Sequence, residues 1–537
     1  MTDRTATDAV RDRALSAWRL HAGRDVGVAG DELRAELTAG SLPAAFHETA
    51  TAHGDRPALE IDGTAATHGE LDAAVAGVAR RLRDRGAEPG GAVAVCAPTS
   101  MALVVAYLGA LRSGATVVLA NPAYTERELR HIVGDSGASV AVGAGPGAGH
   151  LGRIAAERDG GLDVVELDAL VAGAGAEPGL PVPPLSAGDV ALLAYTSGTT
   201  GTPKTVPLTH GNLLSSIRGA MLAWRWSADD VLVHALPLFH QHGLGGVHAT
   251  LLAGSRAVIA SRFDPARLLE TVAAAPASVL FAVPAIYERL LAGGDGSALR
   301  TPRLLVSGSA PLSPALSERI AAVAGRAPLE RYGTTESGLD VSHAYDGDRR
   351  AGTVGVPLPG VELAVADADG RPVADGEDGE ILLRGPQVFA GYRGAAEAGA
   401  AAFHPGGWFR TGDIGRLDPA DGVLQITGRS KELIITGGMN VYPREVALVL
   451  ERAPGVERAA VVGVPSERWG EEVVAVVVAS GGAAVDADAV IAHARAELAP
   501  YKCPKRVVVV DELPANAMGK VVTSEVVRMA TAAGEGR

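Results

Sequence analysis

The run YTSGTTGTPKTVPLTH, Tyr195–His210, is dense in threonine, glycine and proline and carries one cation, Lys204. It follows DVALLAY, an apolar run that reads as a strand feeding straight into the loop. A strand-fed loop of this composition can aim backbone N–H and hydroxyl donors at phosphate oxygens, with glycine keeping Cβ atoms clear. It is not a Walker A loop: counted from Gly198, that pattern needs glycine at 203, where this chain has Pro203. Composition alone allows a plain surface turn as readily as a phosphate cradle.

On the N-terminal side, apolar strands alternate with amphipathic helices. HGELDAAVAGVARRLRDRG has helical spacing, GGAVAVCAP reads as a buried strand, SMALVVAYLGALRSG as a helix, and ATVVLANP and ASVAVGAG as strands. Such alternation implies parallel sheets covered by helices. VAGAGAEPGLPVPPLSAGD reads as a surface linker ahead of the loop. After Gly360 the chain turns β-rich, with DADG and DGEDG turns; beyond Gly428 a compact α+β segment carries the strands PGVERAAVVGVP, EEVVAVVVAS and KRVVVVDELP. The expected organisation is α/β: a helical extension over 1–42, a large domain of helix-covered sheets plus a β-rich subdomain over 43–428, and a small mobile α+β domain over 429–537.

The 537 residues are 47% apolar but only 4% aromatic, so cores must be built from Ala, Val and Leu. A net charge of −14 argues against wholesale nucleic-acid binding, and an anionic ligand must be met by local donors. Two cysteines, Cys96 and Cys503, form no framework and point to a reducing compartment. MTDRTATDAVRDR lacks an apolar h-region, and the longest apolar run, Met101 to Leu111, is too short for a bilayer. A cytoplasmic protein without a membrane partner is expected; the oligomeric state is not legible. Of 48 basic residues only five are lysine (Lys204, Lys431, Lys502, Lys505, Lys520), so a retained lysine suggests that a compact, flexible ammonium is wanted.

Four further stretches change the reading of the loop. LERYGTTESG (Leu329–Gly338) sets Tyr332 and Glu336 around a glycine turn, and GWFRTGDIGRLD (Gly407–Asp418) carries Asp413. GRSKELIITGGMNVYPREV (Gly428–Val446) joins a basic cluster to a double-glycine turn, and NAMGKV (Asn516–Val521) places Lys520 after a glycine. In this order and spacing the chain, from about residue 43 to 530, resembles the adenylate-forming superfamily of acyl-CoA synthetases, luciferases and peptide-synthetase adenylation domains.

The resemblance implies roles residue by residue. Thr196, Ser197, Gly198, Thr199, Thr200 and Gly201 would donate to ATP phosphate oxygens, with Lys204 at the leaving pyrophosphate. Glu336 would hold Mg²⁺, a hard cation that prefers oxygen ligands, and Thr335 would contact the α-phosphate. Tyr332 would stack on adenine, with Gly333 and Thr334 beside it and Gly308, Ser309 and Ala310 lining the base pocket. Asp413 would accept from the ribose hydroxyls, supported by Arg429. Lys520 would bridge the acid carboxylate and the α-phosphate, where charge builds up. Lys431 aligns with the hinge about which the small domain turns, bringing Gly437 and Gly438 to the thiol tunnel; Asn440 and Lys502 are weaker acceptor contacts. ATP, Mg²⁺ and, as co-substrate, CoA are the implied small molecules.

The acid pocket is less legible. PLFHQHGLGGVH (Pro237–His248) holds three histidines; His240 and His242 alternate, but no third ligand lies near for a metal. The resemblance puts His240 at the mouth of the acid pocket, where a structural histidine is the alternative. Several stretches, LFHQHGL, RLLVSGSAPL and ITGGMNVYPREV among them, look most like malonyl-/methylmalonyl-CoA synthetases. Such an acid needs a second cation, for which Arg262 and Arg303 stand at plausible places. The expected activity is AMP-forming acid–CoA ligation. Rival acceptors are a carrier-protein thiol or an amine, and a rival oxyacid is nitrite, as in diazotising enzymes of natural-product pathways.

Overall fold

The structure, a computed structural model, describes residues 30–533 apart from 159–160, 197–203, 294, 437–438, 467–468, 483–484 and 517–518. Two large sheets share one core. In the first, parallel strands run in the order Asp163–Glu166, Val140–Gly143, Ala92–Cys96, Thr116–Ala120 and Val190–Thr196, and Lys204–Thr209 closes the edge antiparallel. The second places Leu329–Tyr332, Leu304–Ser307, Val279–Ala282, Val231–His234, Arg256–Ile259 and Pro57–Ile61 side by side in parallel. Short antiparallel strands, Thr64–Thr67, Val341–Ser342 and Val356–Pro357, finish its two edges.

Helix Met101–Arg112 is buried along its length from Leu103 on, and it shares a cluster with side chains of both sheets. The apolar run that cannot span a bilayer is thus the central packing element. Its start is fixed by Ser100, which accepts from Leu103 N at 3.1 Å. Tyr107 on it meets His248 Nε2 at 2.9 Å, tying it to helix Gln241–Ala253. Helices His68–Asp84 and His210–Ala223 begin with capping boxes, Thr67/Glu70 and Thr209/Asn212. The predicted linker lies at the surface but is pinned: Leu180 N donates to Ala76 O, and a Cβ at Gly77 would lie 2.0 Å from Ala174 O. Among the described residues no helix is long and apolar enough to cross a membrane.

A third sheet, Glu362–Ala366, Gly379–Arg384, Trp408–Leu417 and Phe403–His404, with Leu424–Arg429 paired to Trp408–Leu417, is the expected β-rich part. The chain leaves it at Arg429 and, across Ser430–Leu433, enters a separate sheet. Its strands are Met439–Val441, Ile434–Thr436, Gly470–Ala479 and Val456–Ser466, with Arg506–Val510 beside Gly470–Ala479. That sheet has cores of its own, built largely from valine and alanine. Lys431 sits, exposed, in the crossing segment. Contacts back to the large domain include partly exposed ion pairs: Arg319–Glu457 at 3.3 Å, Arg458–Glu288 at 3.7 Å and Arg416–Glu445 at 3.2 Å. Lys502 belongs to the same network, with its ammonium 2.6 Å from Glu445 Oε2.

Candidate active site

Thr196 and Lys204 are register partners on adjacent antiparallel strands, so the quoted loop leaves and re-enters the first sheet at one point. Ser197, Gly198, Thr199, Thr200 and Gly201 lie outside the described residues, as do Gly437 and Gly438; Asn440 is on the strand that follows. Lys204 places its ammonium 4.4 Å from the centre of the Tyr392 ring. The Tyr392 hydroxyl in turn donates to Glu336 Oε1 at 2.9 Å. Tyr392 thus links the loop's cation to the carboxylate of the YGTTE segment. Its sequence signal was the tyrosine between glycines in GYRG, which the motif reading passed over.

The segment holding Glu336 follows strand Leu329–Tyr332 through a turn only glycine can make. A Cβ at Gly333 would lie 1.9 Å from Gly338 O. Gly338 N donates to Thr334 O at 2.8 Å and Asp340 N to Tyr332 O at 3.0 Å, closing the turn under Thr334, Thr335 and Glu336. Gln241 Nε2 donates to Thr335 O at 2.8 Å, and Thr334 pairs with Ser337 through their hydroxyls at 2.9 Å. Asp340 is buried beneath, where it accepts from Ser337 Oγ at 2.5 Å and Gln387 Nε2 at 3.1 Å; burial lifts its pKa to about 6.

Asp413, 4% exposed, accepts from the Tyr332 hydroxyl at 2.7 Å and faces Arg429 Nε at 2.8 Å. The last pair follows from strand register, since Asp413 and Arg429 are cross-strand partners. The Tyr332 phenol is held far above its ordinary pKa, by burial and then by Asp413. Lys520 comes to the same cleft from the small domain. Its turn is closed by Asn516 N donating to Lys520 O at 2.9 Å, and a Cβ at Gly519 would lie 3.1 Å from Ala285 of the large domain. Lys520 as a residue is exposed, yet surrounding protein and then Arg429 lower its pKa below the ordinary lysine value, while Asp413 and Glu336 oppose that shift. His240, just ahead of helix Gln241–Ala253, is pushed down to about 4 by burial and then by Lys520, so its imidazole is neutral near pH 7. Among the described residues no three His, Cys, Asp or Glu side chains gather as a metal centre.

Next to this cleft lies a small cavity of about 50 Å³, with Gln241 and Gly338 in its lining. Trp224, Trp226, Phe281, Met221 and Ile217 make its wall, and Arg331 and His242 supply polar groups. The Arg331 guanidinium is 9% exposed; burial lowers its pKa to about 10. Among the described residues its Nε has no partner, while Nη2 donates to Ser309 Oγ at 3.3 Å. The close approach needs Gly308, where a Cβ would lie 2.3 Å from Arg331 Nε. Ser309, at φ +67°, turns its hydroxyl to Arg331 and to His242 Nδ1, 3.1 Å away. Gly308, Ser309 and, next in line, Ala310 therefore stand between the nucleotide cleft and the cavity.

Neither arginine proposed for a second carboxylate lines this cavity. Arg303 is committed to Asp230 by two bonds, at 2.9 and 2.8 Å, and to the carbonyls of Trp224 and Arg225. Arg262 lines a groove elsewhere, with Asp62, Asp264 and Arg267. Arg331, which the sequence reading did not single out, does line the cavity; it precedes the motif tyrosine and points to the opposite face of its strand.

Residues 46–393 match the model of the AMP-binding enzyme family, and residues 445–520 match that of the AMP-binding enzyme C-terminal domain. The chain is 38% identical over 493 residues to a feruloyl-CoA synthase of Amycolatopsis sp, covering 90% of this chain and 96% of that protein. It is 34% identical to an oxalate–CoA ligase of Arabidopsis thaliana, covering 87% and 94%. ATP-bound MatB of Rhodopseudomonas palustris superposes with a TM-score of 0.85 at 37% identity, over 91% of this chain and 99% of that one. With these matches across both halves, the chain belongs to the AMP-binding enzyme family, as an AMP-forming acid–CoA ligase of the adenylate-forming superfamily.

Proposed function

We propose that the acid this ligase activates has an apolar body and carries a second acceptor group, anionic or hydroxyl, that faces Arg331. The observation behind this reading is a buried guanidinium with an unpartnered Nε at the wall of an apolar cavity. The Asp340 carboxylate offsets part of the cost of burying Arg331, the unfilled Nε donor leaves the rest, and a ligand that brings the acceptor relieves it. Malonate and methylmalonate are the smallest acids of this class, and Trp224, Trp226 and Phe281 supply apolar wall for the acid's body. The feruloyl- and oxalate-directed relatives also carry, in their acids, an acceptor beyond the activated carboxylate.

In the first half-reaction the carboxylate oxygen attacks the α-phosphorus of ATP, the bond to the β-phosphate bridge breaks, and pyrophosphate leaves. Two anions meet, so the repulsion has to be cancelled locally. Lys520 supplies the cation between carboxylate and α-phosphate, and Lys204 with the loop donors takes the leaving end. Asp413 and Arg429 hold the ribose, Tyr332 the base, and neutral His240 borders the entering carboxylate without adding charge. Glu336, in a loop with the hydroxyls of Thr334 and Thr335, offers the hard oxygen donors Mg²⁺ prefers; bound there, the ion screens phosphate charge. In the second half-reaction CoA thiol attacks the acyl carbon and AMP leaves. We infer that the small domain turns about Lys431 between the two, withdrawing Lys520 and bringing the 437–440 turn to the thiol path. The partly exposed ionic contacts between the domains suit such a change.

The test is a panel of acids scored by pyrophosphate release, with and without CoA: malonate, methylmalonate, hydroxylated and plain benzoates and cinnamates, fatty acids, and nitrite with an aryl amine. The expected result is turnover of acids bearing a second acceptor and little with their plain counterparts. Preference for plain fatty acids, or turnover that needs nitrite and an amine but ignores CoA, contradicts the reading.

A further inference from the structure

Helix Gly30–Thr38 precedes the span matched by the family model and lies across helix His210–Ala223. Leu33 and Leu37 are buried against Leu222. Leu37 also closes on the third sheet's approach, where a Cβ at Gly360 would lie 2.9 Å from its Cδ1. Arg34 pairs with Glu362 on that sheet, and Arg384 holds the same carboxylate. Arg218, on helix His210–Ala223, donates from Nη1 to the carbonyls of Glu36, Leu37 and Ala39 at 3.1, 3.1 and 2.9 Å. Those acceptors lie at the end of the short helix, where carbonyls lack helical donors and favour a cation.

Helix His210–Ala223 has a second face, which delivers Leu213, Ser216, Ile217, Ala220 and Met221 to the acid cavity, with Trp224 at its end. One helix is therefore cavity wall on one face and the seat of the extension on another. We propose that residues 30–40 act as a strut that fixes this wall, so that Arg218 and Leu37 are positioning residues for acid discrimination without touching acid or nucleotide. The proposal rests on the reading of the cavity as the acid site. A side chain displaced by a fraction of an ångström changes reactive placement strongly, whereas Glu336, Asp413 and Lys520 come from other segments, which this helix meets through Ser216 Oγ, accepting from Leu339 N at 2.8 Å.

The experiment uses the full chain with Arg218→Leu, with Leu37→Ala, and with Arg218→Lys as the conservative variant. KM for the preferred acid, KM for ATP, and the ratio of kcat/KM between that acid and an analogue one methylene longer are measured, together with hydrogen exchange of 210–224. Arg218→Leu and Leu37→Ala are expected to raise the acid KM about fivefold to tenfold and to lower the ratio similarly. ATP KM should stay within about twofold, exchange of 210–224 should quicken, and Arg218→Lys should restore most of the ratio. An unchanged acid KM and ratio, or acid and ATP KM rising together, overturns the strut. If Arg331→Met also leaves acid choice untouched, the cavity reading has failed; if Arg331→Met shifts acid choice and the strut variants do not, the strut alone has failed. Leu37→Ala covers the case in which Arg218→Leu does not fold.

Discussion

The cleft proposed for the nucleotide and the cavity proposed for the acid lie side by side, yet they are built in opposite ways. The cleft is polar and assembled from the glycine-bearing turn that carries Glu336, the cross-strand pair of Asp413 and Arg429, and the turn that carries Lys520. The cavity is apolar and enclosed by helices His210–Ala223 and Gln241–Ala253, Phe281 and one buried arginine. In the proposed reading the cleft faces a ligand whose chemistry never varies, triphosphate, ribose and base, and the cavity faces the acid, the part that differs between relatives. Constant chemistry is met by local motifs, and variable chemistry by tertiary packing.

The contrast can be broken or sharpened by measurement. Lys520→Ala should lower adenylate formation about 10²–10³-fold while leaving thioester formation from supplied acyl-adenylate within a few-fold. Equal loss in both half-reactions would remove the distinction between a shared cleft and a moving cation. Arg331→Met should cost roughly 2–5 kcal/mol in kcat/KM for acids with a second acceptor, with the ATP KM unmoved. A matched loss for plain acids would make Arg331 structural. Asp413→Asn should raise the ATP KM by roughly 1.5–3 kcal/mol and leave the ranking of acids unchanged.

The pH dependence separates the regions further. Because burial and Arg429 depress the Lys520 pKa, its charge is lost as pH rises through a value below the ordinary 10.5. Adenylation should therefore fall on the alkaline side before thioester formation from supplied adenylate does. Lys520→Arg, which stays charged, should remove that limb whatever its basal rate. His240 titrates at about 4 and should leave both profiles flat between pH 5.5 and 7.5 (~1.5 units above its midpoint at the lower end). The smallest effect belongs to Tyr392→Phe, which keeps the ring under Lys204 and removes the hydroxyl on Glu336. A loss of about 1 kcal/mol is expected, read as weaker ATP binding in calorimetry with magnesium; Tyr392→Leu should lose more.

Legibility in the sequence followed the same division. The alternation of GGAVAVCAP, SMALVVAYLGALRSG and ATVVLANP was enough to read the helix-covered sheets, because burial on both faces leaves continuous apolar runs. Asp413, Arg429, Tyr332 and Lys520 stood out in the sequence because each lies beside a glycine in a short local motif, next to Gly412, Gly428, Gly333 and Gly519. Arg331 was not: it precedes the motif tyrosine, and nothing local tells that its guanidinium is buried beside Gly308. Arg303 misled for the converse reason, since its partner Asp230 lies 73 residues away in sequence. The seat of helix Gly30–Thr38 on Arg218 is likewise a long-range contact that periodicity cannot reveal.

The most direct test of the central claim uses an acid labelled with ¹⁸O in both carboxylate oxygens, with the products read by mass spectrometry. If the carboxylate attacks the α-phosphorus and the thiol then attacks the acyl carbon, each turnover leaves a single labelled oxygen in AMP and the other in the thioester. Unlabelled AMP, with the label in inorganic phosphate or pyrophosphate instead, would contradict an acyl-adenylate and with it the roles given to Lys520 and its cleft.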